Sequence, residues 1–115
     1  MEHAARGARA AGGLTIGLLP GEDPNEANEY IDVAIATGAG HARNAVLVRT
    51  ADGVVALGGG LGTLSEIALA LRNGVPTIGI KTWRFDRDDR TEPELPLATN
   101  PAEALDWLFA RMPKS

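Results

Sequence analysis

Short apolar runs bounded by glycine, proline or asparagine alternate along the chain with stretches of helical periodicity. Leu14 to Leu19 (LTIGLL) closes on Pro20-Gly21, and Ile31 to Thr37 (IDVAIAT) ends at Gly38-Ala39-Gly40. Gly53 to Leu57 (GVVAL) runs straight into Gly58, and Pro76 to Ile80 (PTIGI) follows Asn73-Gly74. Continuous runs of this length predict strands whose two faces are both covered by helices. Glu2 to Ala11, rich in Ala and Arg and stopped by Gly12-Gly13, predicts a helix without an N-terminal cap of its own. Ala42 to Thr50 predicts a second helix, with Ala42, Ala45, Val46 and Arg49 on one side. Leu64, Ile67, Ala68 and Leu71 recur at i, i+3, i+4 and i+7 as the apolar stripe of a third. A terminal helix opens on Asn100 as cap, with Pro101 at its first position and Glu103 at its third, and Leu105, Leu108, Phe109 and Met112 follow at helical spacing.

Strands alternating with helices predict an α/β fold: an open, mainly parallel sheet with right-handed crossovers, formed by residues 1–115 as one domain. Glu22 to Tyr30 is polar and reads as a loop, and Arg84 to Glu94, with eight formal charges and no apolar period, reads as an exposed one. The 115 residues are 44% hydrophobic, but only two Trp, one Tyr and two Phe are available, so the core has to be aliphatic. The absence of cysteine excludes disulfides, thiolate metal sites and a cysteine nucleophile. A net charge of -4, with eleven basic residues scattered along the chain, leaves no footprint for gripping nucleic acid. No apolar run approaches the roughly 20 residues that span a bilayer, and the N-terminus has no apolar centre of a signal peptide, so no membrane partner and a cytoplasmic location are expected.

The chemistry concentrates where the third strand hands over to a helix, at Gly58-Gly59-Gly60-Leu61-Gly62-Thr63. Parallel sheets bind ligands beyond the carboxyl ends of their strands, and glycines there let a phosphate approach the backbone amides of a helix start. The spacing is neither the dinucleotide fingerprint nor the P-loop, which argues against NAD and against ATP hydrolysis. Two bland alternatives stand beside this reading. The glycines could serve close packing of helix on strand, and Thr63-Leu64-Ser65-Glu66 fits a capping box that would occupy Glu66. A second loop, Thr37-Gly38-Ala39-Gly40, is a weaker ligand candidate, and His3 and His41 have no partner at metal-ligand spacing, so no metal site is expected.

Arg43-Asn44 followed by ADGVVALGGGLGTLSEIALAL (Ala51 to Leu71) resembles the LOG-like proteins, long mislabelled lysine decarboxylases, whose mark is an Arg followed by PGGxGTxxE. AGGLTIGLLPG, DVAIATGAGHARN and Gly58 in place of the motif's Pro make it most similar to the DprA/Smf-related and molybdenum-cofactor-carrier-like branch. The resemblance covers Met1 to Ile80. It implies a Rossmann-like domain, a homodimer or higher oligomer, that binds a nucleoside monophosphate or related phosphate-bearing ligand and requires no cofactor for its chemistry. Carried over residue by residue, it implies that Gly59, Gly60, Gly62 and Thr63 hold the phosphate, and Gly58, which stands where the motif has Pro, is expected to join them in the same turn. Arg43 and Glu66 would be the pair that cleaves the N-glycosidic bond in hydrolytic members, and Thr37, Gly38 and Asn44 further ligand contacts. The alternative within the resemblance is a non-catalytic carrier of a nucleotide or molybdopterin-type cofactor; a DNA-processing role of the DprA kind would need a basic surface. Members ordinarily begin with a strand, a helix and a second strand that this chain does not show, so an N-terminally truncated domain is expected.

Overall fold

The computed structural model describes residues 2–85 and 95–112, so most of the charged stretch from Arg84 to Glu94 lies outside the described residues. The backbone forms two compact units, Met1–Arg43 and Asn44–Ser115, and each holds one parallel sheet. The mixed α/β fold with parallel strands and flanking helices is therefore the predicted class.

The first unit contains helix α1 (Glu2–Ala10), strand β1 (Ile16–Leu19) and strand β2 (Val33–Ala36). β1 and β2 pair in parallel, with Ile16 opposite Val33 and Leu18 opposite Ile35. The polar segment that joins them makes one short 3-10 turn, Pro24–Glu26, capped by the Asp23 carboxylate, which accepts from the Asn25 amide at 2.9 Å. A single polar turn carries no apolar stripe, so the sheet is not covered on both sides as the apolar runs suggested. Ile16, Val33 and Ile35, which share one face, remain 54%, 42% and 45% exposed.

A polar knot holds this unit together. The single proton of the Thr15 hydroxyl lies between two acceptors, the Tyr30 carbonyl at 2.5 Å and the Asp32 carboxylate at 3.0 Å, and its oxygen accepts from the Asp32 amide at 2.8 Å. The Thr15 amide donates to the same carboxylate at 2.9 Å. On the other side of that carboxylate, Arg9 of α1 approaches Asp32 to 3.3 Å and donates to the Glu29 carbonyl at 2.9 Å.

The second unit is centred on strand β4 (Thr77–Ile80), flanked by β3 (Val54–Leu57) and the two-residue β5 (Leu97–Ala98), all parallel. All four residues of β4 are buried, as expected of a central strand with both faces covered. Helices α2 (Arg43–Thr50), α3 (Leu61–Arg72) and α4 (Pro101–Phe109) complete the order. Ile78, Ile80, Ala98, Ala104 and Leu108 form the core, with Val55, Trp107 and Met112 against it.

Three stripes are rotated from those the periodicity suggested. Asn44 and Val48 are the buried face of α2, while Val46 is exposed; Ile67 and Ala70, not Ala68, are buried on α3. Leu108 of α4 and Met112 just beyond it face the core as predicted, but Ala104 and Trp107 take the places expected of Leu105 and Phe109, which are 43% and 62% exposed. Small residues at 70 and 104 let these helices approach closely, which hydrophobicity alone does not signal. β5 is too short to show a period, and the sequence does not predict it. The Asn100 cap is as predicted: its side chain accepts from the Glu103 amide at 2.8 Å. Glu103 reaches back one residue beyond the cap, to the Thr99 hydroxyl at 2.7 Å and the Thr99 amide at 3.2 Å.

Candidate functional site

The turn from β3 to α3 is built from residues whose conformations differ sharply. Gly58 sits at φ +86°, a left-handed value that a proline ring forbids, so the departure from the Pro of the motif has a backbone cause. Gly60 is extended and stands as the helix cap without any side-chain capping bond, and α3 begins at Leu61. Thr63 therefore occupies the third helical position instead of the cap, and the expected Thr63–Glu66 capping box does not form. The helix starts earlier because its first bond runs from the Leu64 amide to the Gly60 carbonyl, at 3.1 Å. The amides of Leu61, Gly62 and Thr63 precede that bond, so they have no acceptor within the helix and carry the positive end of its dipole.

Gly59, Gly60 and Gly62 are glycines for a different reason from Gly58. None of them has a left-handed φ, and among the described residues a Cβ built on any of them meets no other atom within 4 Å. Neither strain nor close packing of helix on strand demands glycine at these three positions. Among the described residues of the second unit, nothing else fills the space over these three glycines.

Thr63 is half-buried, with its hydroxyl 3.5 Å from the Leu57 carbonyl oxygen, and Glu66 stands half-buried three residues further along α3. Two residues that sequence reasoning missed also reach this turn. The Thr82 hydroxyl donates to the Gly58 carbonyl, and the Trp83 indole N–H donates to the Gly60 carbonyl at 3.2 Å. The only sequence signal was a Thr and a Trp directly after a buried strand, which carries no specific meaning by itself.

Of the remaining candidates, Arg43, Thr37 and Gly38 belong to the first unit and Asn44 to the second. Arg43, the last residue of the first unit, donates from Nη1 to the Leu18 carbonyl at 2.8 Å. The Thr37 hydroxyl donates to the Leu19 carbonyl at 2.7 Å, and the Gly38 amide to the Gly21 carbonyl at 2.8 Å, so both are used to tie their loop to the end of β1. Asn44 is 2% exposed in the first turn of α2. His3 and His41 are exposed, and among the described residues no three His, Asp or Glu side chains gather as a metal site. Among the described residues no helix is long and apolar enough to cross a membrane.

Comparison with known proteins supplies a context for this geometry. The sequence model of the SLOG cluster4 family matches residues 1–105. An uncharacterized protein of Archaeoglobus fulgidus is 43% identical over 81 residues, which are 70% of this chain and 53% of that protein, so the chain spans about half the length of this curated relative. Among solved structures, the molybdenum cofactor binding protein of the phototrophic bacterium Rippkaea orientalis is 38% identical, with a TM-score of 0.83 over 96% of this chain and 69% of that one. The X-ray structure of TM1055, a structural genomics target, is 31% identical with a TM-score of 0.74, covering 92% of this chain and 69% of that one.

Proposed function

The chain belongs to the SLOG cluster4 family, and from that premise we infer that it binds a phosphate-bearing ligand, a molybdopterin-type cofactor or a nucleoside monophosphate, at the turn from Gly58 to Thr63. One observation carries this reading. Among the described residues no contact and no left-handed φ requires glycine at 59, 60 or 62, while the amides these glycines flank open a helix, where an anion is favoured. Side chains at these positions would fill the space over the turn, so the demand for glycine is understood if a ligand occupies it. The likeness to a molybdenum cofactor binding protein favours a binding or carrier role.

The test is thermal unfolding of the whole protein with AMP, and with molybdenum cofactor released from a molybdoenzyme. A ligand at about 100 times its Kd stabilises the native state by about 2.7 kcal/mol. A rise in Tm that is lost in Gly60→Val and Gly62→Val supports the reading. The absence of any shift with either ligand, or equal shifts in these variants, contradicts it.

A second reading follows from Glu66, which the structure releases from the capping role. A carboxylate one helical turn from anion-binding amides is suited to stabilise an oxocarbenium-like centre, and by family pattern Arg43 is its companion in N-glycosidic hydrolysis. Adenine released from AMP by the wild type, and lost in both Glu66→Ala and Arg43→Ala, distinguishes a phosphoribohydrolase from a carrier.

A further inference from the structure

Resting on the reading of the Gly58–Thr63 turn as a phosphate site, we propose that Thr82 and Trp83 are positioning residues that hold the glycine turn in its anion-binding form. The segment that leaves β4 doubles back toward the end of β3. Lys81 supplies the reversal with φ +48°, the only left-handed value at a non-glycine among the described residues. Gly79 supplies the space, because a Cβ there would run into the Thr82 methyl and would lie 3.1 Å from Leu97 Cδ2. From this reversal Thr82 donates to the Gly58 carbonyl and Trp83 to the Gly60 carbonyl, across 24 and 23 residues of sequence.

Peptide planarity converts two fixed carbonyls into two aimed amides. The described peptide bonds are all trans, so the N–H of each peptide points opposite to its carbonyl. The Gly58 carbonyl shares a peptide with the Gly59 amide, and the Gly60 carbonyl shares one with the Leu61 amide. Both carbonyls face the same dipeptide, so both amides are directed away from Thr82 and Trp83. Three consecutive glycines are the most freely jointed backbone available, and an unheld turn would have to be ordered at the moment of binding. The Gly60 carbonyl already accepts the first bond of α3 from the Leu64 amide, and the two side-chain bonds extend that ordering to the rest of the turn in the free protein.

The experiment uses the full chain with AMP and inorganic phosphate as probes, in four forms: wild type, Thr82→Val, Trp83→Phe and Thr82→Ser. Thr82→Val keeps the shape and removes the hydroxyl; Trp83→Phe keeps an aromatic ring and removes the N–H. Loss of one such bond is expected to raise Kd by about 3- to 10-fold, with Thr82→Ser restored to the wild-type value. In 15N NMR spectra of the free protein, the Gly59 and Leu61 amides should shift or broaden in Thr82→Val and Trp83→Phe, while those of β4 and α4 stay in place. Unchanged Kd in both variants, or a Thr82→Ser protein as weak as Thr82→Val, overturns the positioning role and leaves the phosphate site standing. A wild type that binds neither AMP nor inorganic phosphate, and that molybdenum cofactor does not stabilise in the unfolding test, overturns the phosphate reading itself, and the positioning role with it.

Discussion

β1 and β4 are both four-residue, mainly apolar runs with one glycine, IGLL and TIGI, and both pair in parallel, yet every residue of β4 is buried while Ile16 of β1 is 54% exposed. The difference lies in what surrounds each strand. β4 has β3 and β5 on either side and receives both α3 and α4. β1 has a single strand neighbour, β2, and the connection between them provides only a polar 3-10 turn. The two units consequently rely on different interactions. The second is held by aliphatic packing around Ile78, Ile80 and Leu108, and the first by the polar knot of Thr15, Asp32 and Arg9. A short apolar run thus specifies a strand without specifying how deeply that strand is buried.

The largest expected effect tests the packing side of this contrast. Ile67, fully buried in α3, should lose about 2–5 kcal/mol on replacement by Ala. Ile35→Ala on the exposed face should lose less than about 1 kcal/mol, because little area leaves the interior. Urea denaturation of both variants measures the difference, and equal losses would erase it.

Thr15→Val comes next. It removes the hydroxyl from the knot and leaves the 7%-exposed site with unpaired acceptors, at a cost of about 1–3 kcal/mol. Hydrogen exchange should quicken across residues 14–19 and 31–36 while β4 keeps its protection. A uniform loss over both units would mean that the knot is not specific to the first. Smaller again, Asn100→Ala removes the cap of α4 and should lose about 1 kcal/mol, read as faster exchange near residues 101–104 alone.

The smallest effect is acid sensitivity. The Thr15 amide and then its hydroxyl, with Arg9 adding, hold the Asp32 carboxyl below its ordinary value against a modest desolvation penalty. A lowered folded pKa contributes stability that is complete above the unfolded value, about 3.9, and is lost as pH falls through the folded one. Glu103, held low by the Thr99 hydroxyl and amide, acts in the same direction in the second unit. Exchange in residues 14–19, corrected for intrinsic rates, should stay flat between about pH 7 and 5 and rise only below about pH 4, with the rise reduced in Asp32→Asn. A transition near neutrality would point to another group.

Several features were legible in the residues because their physics is local. Asn100-Pro101-Ala102-Glu103 reads as a helix start, since a capping side chain, a proline that needs no donor and an acidic third residue all act within one turn. The glycine run after an apolar strand marks the ligand turn, because backbone freedom at a strand-to-helix junction is itself the signal. The assignment of Thr63 as cap went astray by three positions: Gly60 can cap without a side chain, and the apolar stripe that begins at Leu64 hides the first turn of α3. Thr82 and Trp83 could not be connected to Gly58 and Gly60 in advance, because their contacts span more than twenty residues and depend on the reversal at Lys81.

By itself the sequence determined the α/β class, the order of the principal helices and strands, the aliphatic character of the core and the position of the glycine turn. These follow from periodicity, capping chemistry and composition, which act over a few neighbouring residues. Only the tertiary structure decided which apolar faces are covered, that three of the turn's glycines meet no contact among the described residues, and that a dipeptide beyond β4 bonds to that turn. Those outcomes depend on which distant segments meet, and a sheet face is buried or a carbonyl bonded only when the opposing element arrives in space.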